Sequence, residues 1–90
     1  MKIEKVDFSL NAFEQYKNWE QQDKKTLKRI NALIADIARN GNDGIGKPEA
    51  LKGNYQGFYS RRIDDKNRLI YRIEENVIII IECGTHYQDK

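Results

Sequence analysis

Gly57-Phe58-Tyr59-Ser60-Arg61-Arg62-Ile63, Asp64-Asp65-Lys66-Asn67, Arg68-Leu69-Ile70-Tyr71-Arg72-Ile73, Glu74-Glu75-Asn76 and Val77-Ile78-Ile79-Ile80-Ile81 follow one another without a break. The runs rich in apolar and aromatic residues read as strands, and the polar clusters between them as turns. Turns this short oblige consecutive strands to run antiparallel, so this stretch predicts a three-stranded meander. Alternation puts Arg68, Ile70 and Arg72 on one face and Leu69, Tyr71 and Ile73 on the other. One face must be covered by other elements, which leaves the second polar and open.

The covering elements lie upstream. Met1 to Phe8 carries Ile3, Val6 and Phe8 among charged residues and predicts a first strand. Ser9 is suited to accept from the backbone N–H groups of a following turn. Phe13, Tyr16 and Trp19 then recur every third residue, as on one side of a short helix. Asp23 is suited to cap a second helix, with Leu27, Ile30, Leu33, Ile34 and Ile37 as its buried stripe. Lys24, Lys25, Lys28, Arg29 and Asp36 are left for the wet face. Asn40-Gly41 supplies a helix exit, and Gly41 to Gly46 reads as a loop. The expected fold is α+β, in the order β-α-α-β-β-β: a four-stranded antiparallel sheet with two N-terminal helices packed on one face. Residues 1–90 are expected to form a single domain.

Composition removes several function classes. With 39% apolar and 33% charged residues the chain suits a globular protein rather than a disordered one. The lone Cys83 excludes an internal disulfide and reads as a small buried strand residue. A single histidine argues against a structural zinc site, and neither metal nor cofactor is expected. No apolar stretch reaches the ~20 residues of a membrane span, and no signal-peptide core stands at the N-terminus. No membrane association and a cytoplasmic location are expected.

Charge is unevenly placed. Residues 47–72 hold seven basic and three acidic side chains, a local excess of +4 in a chain of net charge +2. An anionic ligand such as a phosphate backbone would be met there, although such an excess is also ordinary on a solvated surface. Close by is the loop Lys47-Pro48-Glu49-Ala50-Leu51-Lys52, and at the far end the only histidine, His86, precedes Tyr87. Histidine titrates near neutral pH and can give or take protons. Cleaving RNA through its own 2′-hydroxyl needs a base, an acid and cations for the charge that builds on phosphate. Glu49, His86 and the arginines at 61, 62, 68 and 72 are the residue types required. Each also has an ordinary explanation. Glu49 could balance Lys47 and Lys52, Arg68 could pair with Asp64 or Asp65, and Tyr87 could cover the sheet edge.

Four ordered motifs narrow the choice: Gly46-Lys47-Pro48-Glu49-Ala50-Leu51-Lys52, Gly57 to Ile63, Asn67-Arg68-Leu69-Ile70-Tyr71 and His86-Tyr87. Together they resemble the YoeB/Txe toxins of the RelE/ParE superfamily, and the segments 13–19 and 28–34 fit the helical parts of that family. The resemblance implies a toxin of a type II toxin–antitoxin module: a metal-independent, ribosome-dependent mRNA endoribonuclease held silent by a cognate YefM/Axe-like antitoxin. The implied partners are that antitoxin, the ribosome and mRNA. A homodimer is a further expectation, with Tyr16 or Trp19 at the edge of its contact. The resemblance puts the catalytic groups on Glu49, Arg68, His86 and Tyr87, and an RNA-gripping arginine on Arg62. Lys47, Lys52 and Arg61 join Arg62 as expected RNA-binding residues. The chain departs from the family's usual pattern at Ala50, Tyr59 and Asn67, and Gln88-Asp89-Lys90 extend past the terminal tyrosine. Two other readings share the fold: a ParE-like gyrase-inhibiting toxin, and a non-catalytic module that only holds a partner.

Overall fold

The computed structural model describes residues 2–85. Its elements are β1 (Lys5–Phe8), α1 (Leu10–Gln22), α2 (Lys24–Asn40), β2 (Glu49–Ala50), a 3-10 turn at Gly53–Tyr55, β3 (Tyr59–Arg62), β4 (Arg68–Glu74) and β5 (Val77–Thr85). Both helices start where the sequence offers a cap. The Ser9 hydroxyl accepts from the Ala12 N–H at 3.0 Å, and the Asp23 carboxylate accepts from the N–H groups of Lys25 and Thr26. Gly41, at φ 68°, closes α2 with its N–H donated to the Ile37 carbonyl.

The five strands form one sheet in the order β1-β5-β4-β3-β2. The meander β3-β4-β5 is antiparallel throughout, as its turns require. Two features correct the expected four-stranded antiparallel sheet. First, β1 pairs with β5 in parallel, Lys5 opposite Val77 through Phe8 opposite Ile80. A parallel neighbour needs a long crossover, and here the two helices and the strands β2, β3 and β4 all lie between β1 and β5, so no short turn dictates the direction of β1. Second, Glu49–Ala50 forms an edge strand antiparallel to β3, with Glu49 opposite Ser60. Two residues are too few to display alternation in sequence.

One face of the sheet carries the core. Ile30, Leu33 and Ile37 of α2 and Ala12 of α1 pack on Leu69, Tyr71, Ile78, Ile80 and Cys83. Register shifts in the β4–β5 pairing bring Ile78, Ile80 and Cys83 opposite Ile73, Tyr71 and Leu69. Ile70 and Leu51 are buried outside that helix-facing cluster. Ile70 is thus fully buried although it lies on the face that alternation left polar.

Beyond Ile80 the pairing with β1 stops, and α1 takes over the open edge of β5. The Ser9 N–H donates to the Ile80 carbonyl, the Gln15 amide oxygen accepts from the Cys83 N–H at 2.6 Å, and the Trp19 indole donates to the Cys83 carbonyl at 3.0 Å. Side chains of a helix thereby satisfy backbone groups that a longer β1 would have paired. Tyr16 is likewise held inside the chain, its ring beside Phe8 and its hydroxyl donating to Asn31 at 2.7 Å. Tyr16 and Trp19 are therefore engaged within the chain while remaining half-buried.

Candidate functional site

The face of the sheet away from the helices gathers the residues of interest by register alone. On β3 the side chains of Tyr59 and Arg61 point toward the core, so Ser60 and Arg62 point away. Glu49 is opposite Ser60, Ser60 opposite Ile70, and Arg62 opposite Arg68. Glu49, Arg62 and Arg68 consequently share the open face. Two strand spacings and two residues separate Glu49 from Arg68, about 12 Å between Cα atoms. Thr85, the last described residue, is the register partner of Arg68, so β5 ends beside the arginine. His86 and Tyr87 lie outside the described residues.

The turn before Arg68 is built to present it. The Asp64 carboxylate accepts from the N–H groups of Lys66 and Asn67 at 2.8 and 2.7 Å, and from the Asn67 side-chain amide. Burial opposes ionisation of Asp64, but these hydrogen bonds and the nearby Arg68 charge outweigh it and hold its carboxyl below the ordinary aspartate value. Arg68 donates to the Asp64 backbone carbonyl at 3.2 Å rather than closing a salt bridge with its carboxylate. The turn steers the guanidinium without a direct salt bridge, although its charge still acts on Asp64. Arg62 makes no ion pair among the described residues, whereas Arg72 pairs with Glu74 at 2.6 Å and lies over the Phe58 ring.

Lys47 and Lys52 are exposed on either side of Glu49, with Lys47 in left-handed backbone at φ 51°. Arg61 is elsewhere. Grouped with the RNA-facing residues on sequence, it is fully buried on the helix side, where it pairs with Asp36. Asp36 in turn is buried rather than on the wet face of α2. All five N–H groups of the guanidinium are used. They go to the Tyr71 hydroxyl at 3.3 Å, the Asp36 carboxylate, and the carbonyls of Ile45 at 3.0 Å, Gly41 at 2.7 Å and Asp43 at 2.9 Å. The Arg61 hydrogen bond holds the Asp36 carboxyl below its ordinary range despite burial. The signal that could have revealed this pair is alternation itself, since Arg61 sits between Tyr59 and Ile63 on the core side of β3.

Residues 8–87 match the family described as the YoeB-like toxin of bacterial type II toxin-antitoxin system. The chain belongs to this family. It is 46% identical over 83 residues to Toxin YoeB of Streptomyces coelicolor, a match covering 92% of this chain and 99% of that one. The structure of the YoeB dimer from Staphylococcus aureus is similar at TM-score 0.88 and 49% identity, covering 97% of this chain and 100% of that chain. The heterotetrameric complex of YoeB-YefM toxin-antitoxin from the same organism is similar at TM-score 0.87 and 49% identity, with the same coverage. The YoeB-like fold, with β1 closing the sheet in parallel, thus agrees with the family reading of the four motifs. Among the described residues no helix is long and apolar enough to cross a membrane.

Proposed function

We propose that this YoeB-like toxin is an mRNA endoribonuclease that acts on translated message in the cytoplasm, in partnership with the ribosome. The observation that carries the reading is the convergence of Glu49, Arg62 and Arg68 on one open face, beside the strand end that leads to His86 and Tyr87. The 2′-hydroxyl of the message attacks the adjacent phosphate in line. The O–P bond to the 2′-oxygen forms as the bond to the 5′-oxygen breaks, leaving a 2′,3′-cyclic phosphate and a free 5′-hydroxyl. Glu49 takes the 2′ proton as general base, and His86 gives a proton to the departing 5′-oxygen. Arg68 stabilises the charge on the non-bridging oxygens, while Arg62, Lys52 and Lys47 hold neighbouring phosphates. Tyr87 stacks on a base at the cut.

Silencing follows from the same charge distribution. A YoeB of Staphylococcus aureus is found with YefM in a heterotetramer, and an acidic antitoxin of that kind suits the excess of +4 over residues 47–72. Homodimerisation is part of the proposal by the same likeness to the Staphylococcus aureus YoeB dimer.

The test is a message with a single 2′-deoxy nucleotide at the cut site, offered to translating ribosomes. Cleavage should stop at that position and persist elsewhere. Cutting at a comparable rate would make water the nucleophile and remove the mechanism.

A further inference from the structure

We infer that Arg61 is a positioning residue for Glu49, acting through the loop at residues 41–46; this rests on the proposed ribonuclease reading. The loop is the only covalent lead from α2 into β2, and Glu49 is the first residue of that two-residue strand. A strand so short is held by few ladder bonds of its own, so its place depends on what fixes the chain before it. Arg61 fixes it from beneath. Three of its five hydrogen bonds end on the carbonyls of Gly41, Asp43 and Ile45, all in that loop, and a fourth on Asp36, which itself accepts from the Ile45 N–H at 3.1 Å. The packing is close: a side chain added at Gly44 would run into the Asp36 carboxylate. The neighbouring backbone completes the tie, the Arg62 N–H donating to the Gly46 carbonyl at 2.7 Å.

A buried ion pair of this kind adds little net stability compared with apolar packing, and the partners it holds here are the carbonyls of one loop. Arg61 and Arg62 are consecutive residues of β3 pointing to opposite faces. One strand therefore sets both the loop that carries the base and an arginine beside the phosphate. A base misplaced by about 1 Å costs on the order of 10²-fold in rate.

The experiment is a double-mutant cycle on cleavage of translated mRNA, run well below the melting temperature, with amide hydrogen exchange on the same proteins. Arg61→Met should lower kcat by roughly 10–100-fold with KM unchanged. Exchange should rise over residues 42–50 while β4 and β5 stay protected. Combined with Glu49→Gln, it should slow cleavage no further than Glu49→Gln alone. Arg61→Lys, which keeps the charge and loses the planar fork, should restore only part of the rate. An Arg61→Met effect that multiplies with that of Glu49→Gln, or exchange that rises uniformly, overturns the inference. Should Arg61→Met fail to fold, Asp36→Asn serves. It is expected to show the same pattern at smaller amplitude, and unchanged kcat and loop exchange there would overturn the inference equally. If the parent protein itself cuts no message, the ribonuclease reading fails, and the exchange arm still decides whether Arg61 anchors the loop.

Discussion

Arg62 and Arg68 face each other across β3 and β4 on the open side of the sheet, two like charges at directly opposed register positions. Such a pair destabilises a sheet by up to about 1 kcal/mol. A fold that keeps it has placed two cations where one anion can meet both.

That conflict separates stability from function. Arg62→Ala should leave the melting temperature unchanged or raise it while weakening RNA binding. The slope of log affinity against log salt should fall by about 0.7, the value for one contact with a single-stranded phosphate backbone. Arg68→Ala should act on kcat, by roughly 10²–10³-fold, as expected when a group that stabilises transition-state charge is removed. Filter binding across a salt series and single-turnover cleavage read the two effects apart. An Arg62→Ala protein that is less stable and binds RNA as before would contradict this account.

Much of this arrangement is legible in the sequence. The turns at residues 64–67 and 74–76 dictate the meander, and Ser9, Asp23 and Gly41 mark helix ends by local chemistry that needs no tertiary context. The direction of β1 is not legible, because two helices and three strands separate it in sequence from its neighbour β5 and leave both orientations open. The Asp36–Arg61 pair is hidden for a different reason. Charge ordinarily means exposure, yet Arg61 alternates with Tyr59 and Ile63, and Asp36 adjoins Ile37 on the buried side of α2. Glu49 and Arg68 were found through the resemblance, since spacing alone does not bring residues 19 apart onto one face. Register does so only once β2 is known to pair with β3.

Acid should loosen the protein. The carboxyls of Asp36, Asp64 and Asp23 are all held below the ordinary value of 3.8. For Asp36 the main cause is the Arg61 hydrogen bond, and for Asp23 that from Thr26. At Asp64 burial opposes ionisation, and the hydrogen bonds from Asn67 and Lys66 prevail. With folded values depressed, the unfolded chain binds more protons in this range, so stability rises with pH. The contribution is complete above the unfolded value and is lost as pH falls through the lower folded ones. Urea midpoints should be level from pH 7 to about 5 and drop steadily below about 4. Asp36→Asn should flatten part of that drop, and an unchanged drop in the variant would exclude Asp36 as a contributor.

Cys83 should be silent in the native protein. Burial first, and then the neighbouring Glu82 charge, push its thiol from 9.0 up to about 12. Only the thiolate reacts, and a rise of three units lowers its fraction at neutral pH about a thousandfold. Iodoacetamide at pH 8 should label the denatured chain within minutes and leave the folded one intact for hours. Equal labelling of both would mean that the strand end opens freely around Cys83, contrary to its hydrogen bonds with Gln15 and Trp19.

β5 comes alongside Arg68 through an irregularity at Gly84. Gly84 lies at φ 121°, a conformation that side chains rarely adopt, and a Cβ there would run into the Trp19 indole. Trp19 cannot simply swing aside, because its N–H is bonded to the Cys83 carbonyl. The irregular pairing at this point, with Cys83 opposite Leu69 and Thr85 opposite Arg68, leaves Gly84 unpaired and bends the strand. Gly84→Ala should therefore cost about 1–3 kcal/mol from backbone strain and overpacking. It should also shift the strand end relative to Arg68, lowering kcat at temperatures where the variant is still fully folded. Trp19→Phe removes the bond to Cys83 and leaves the glycine, so it separates the two effects. If the bend is what aims the strand end, Gly84→Ala slows cleavage more than Trp19→Phe at matched stability. Equal rates at matched stability would reduce Gly84 to a packing requirement with no part in the site.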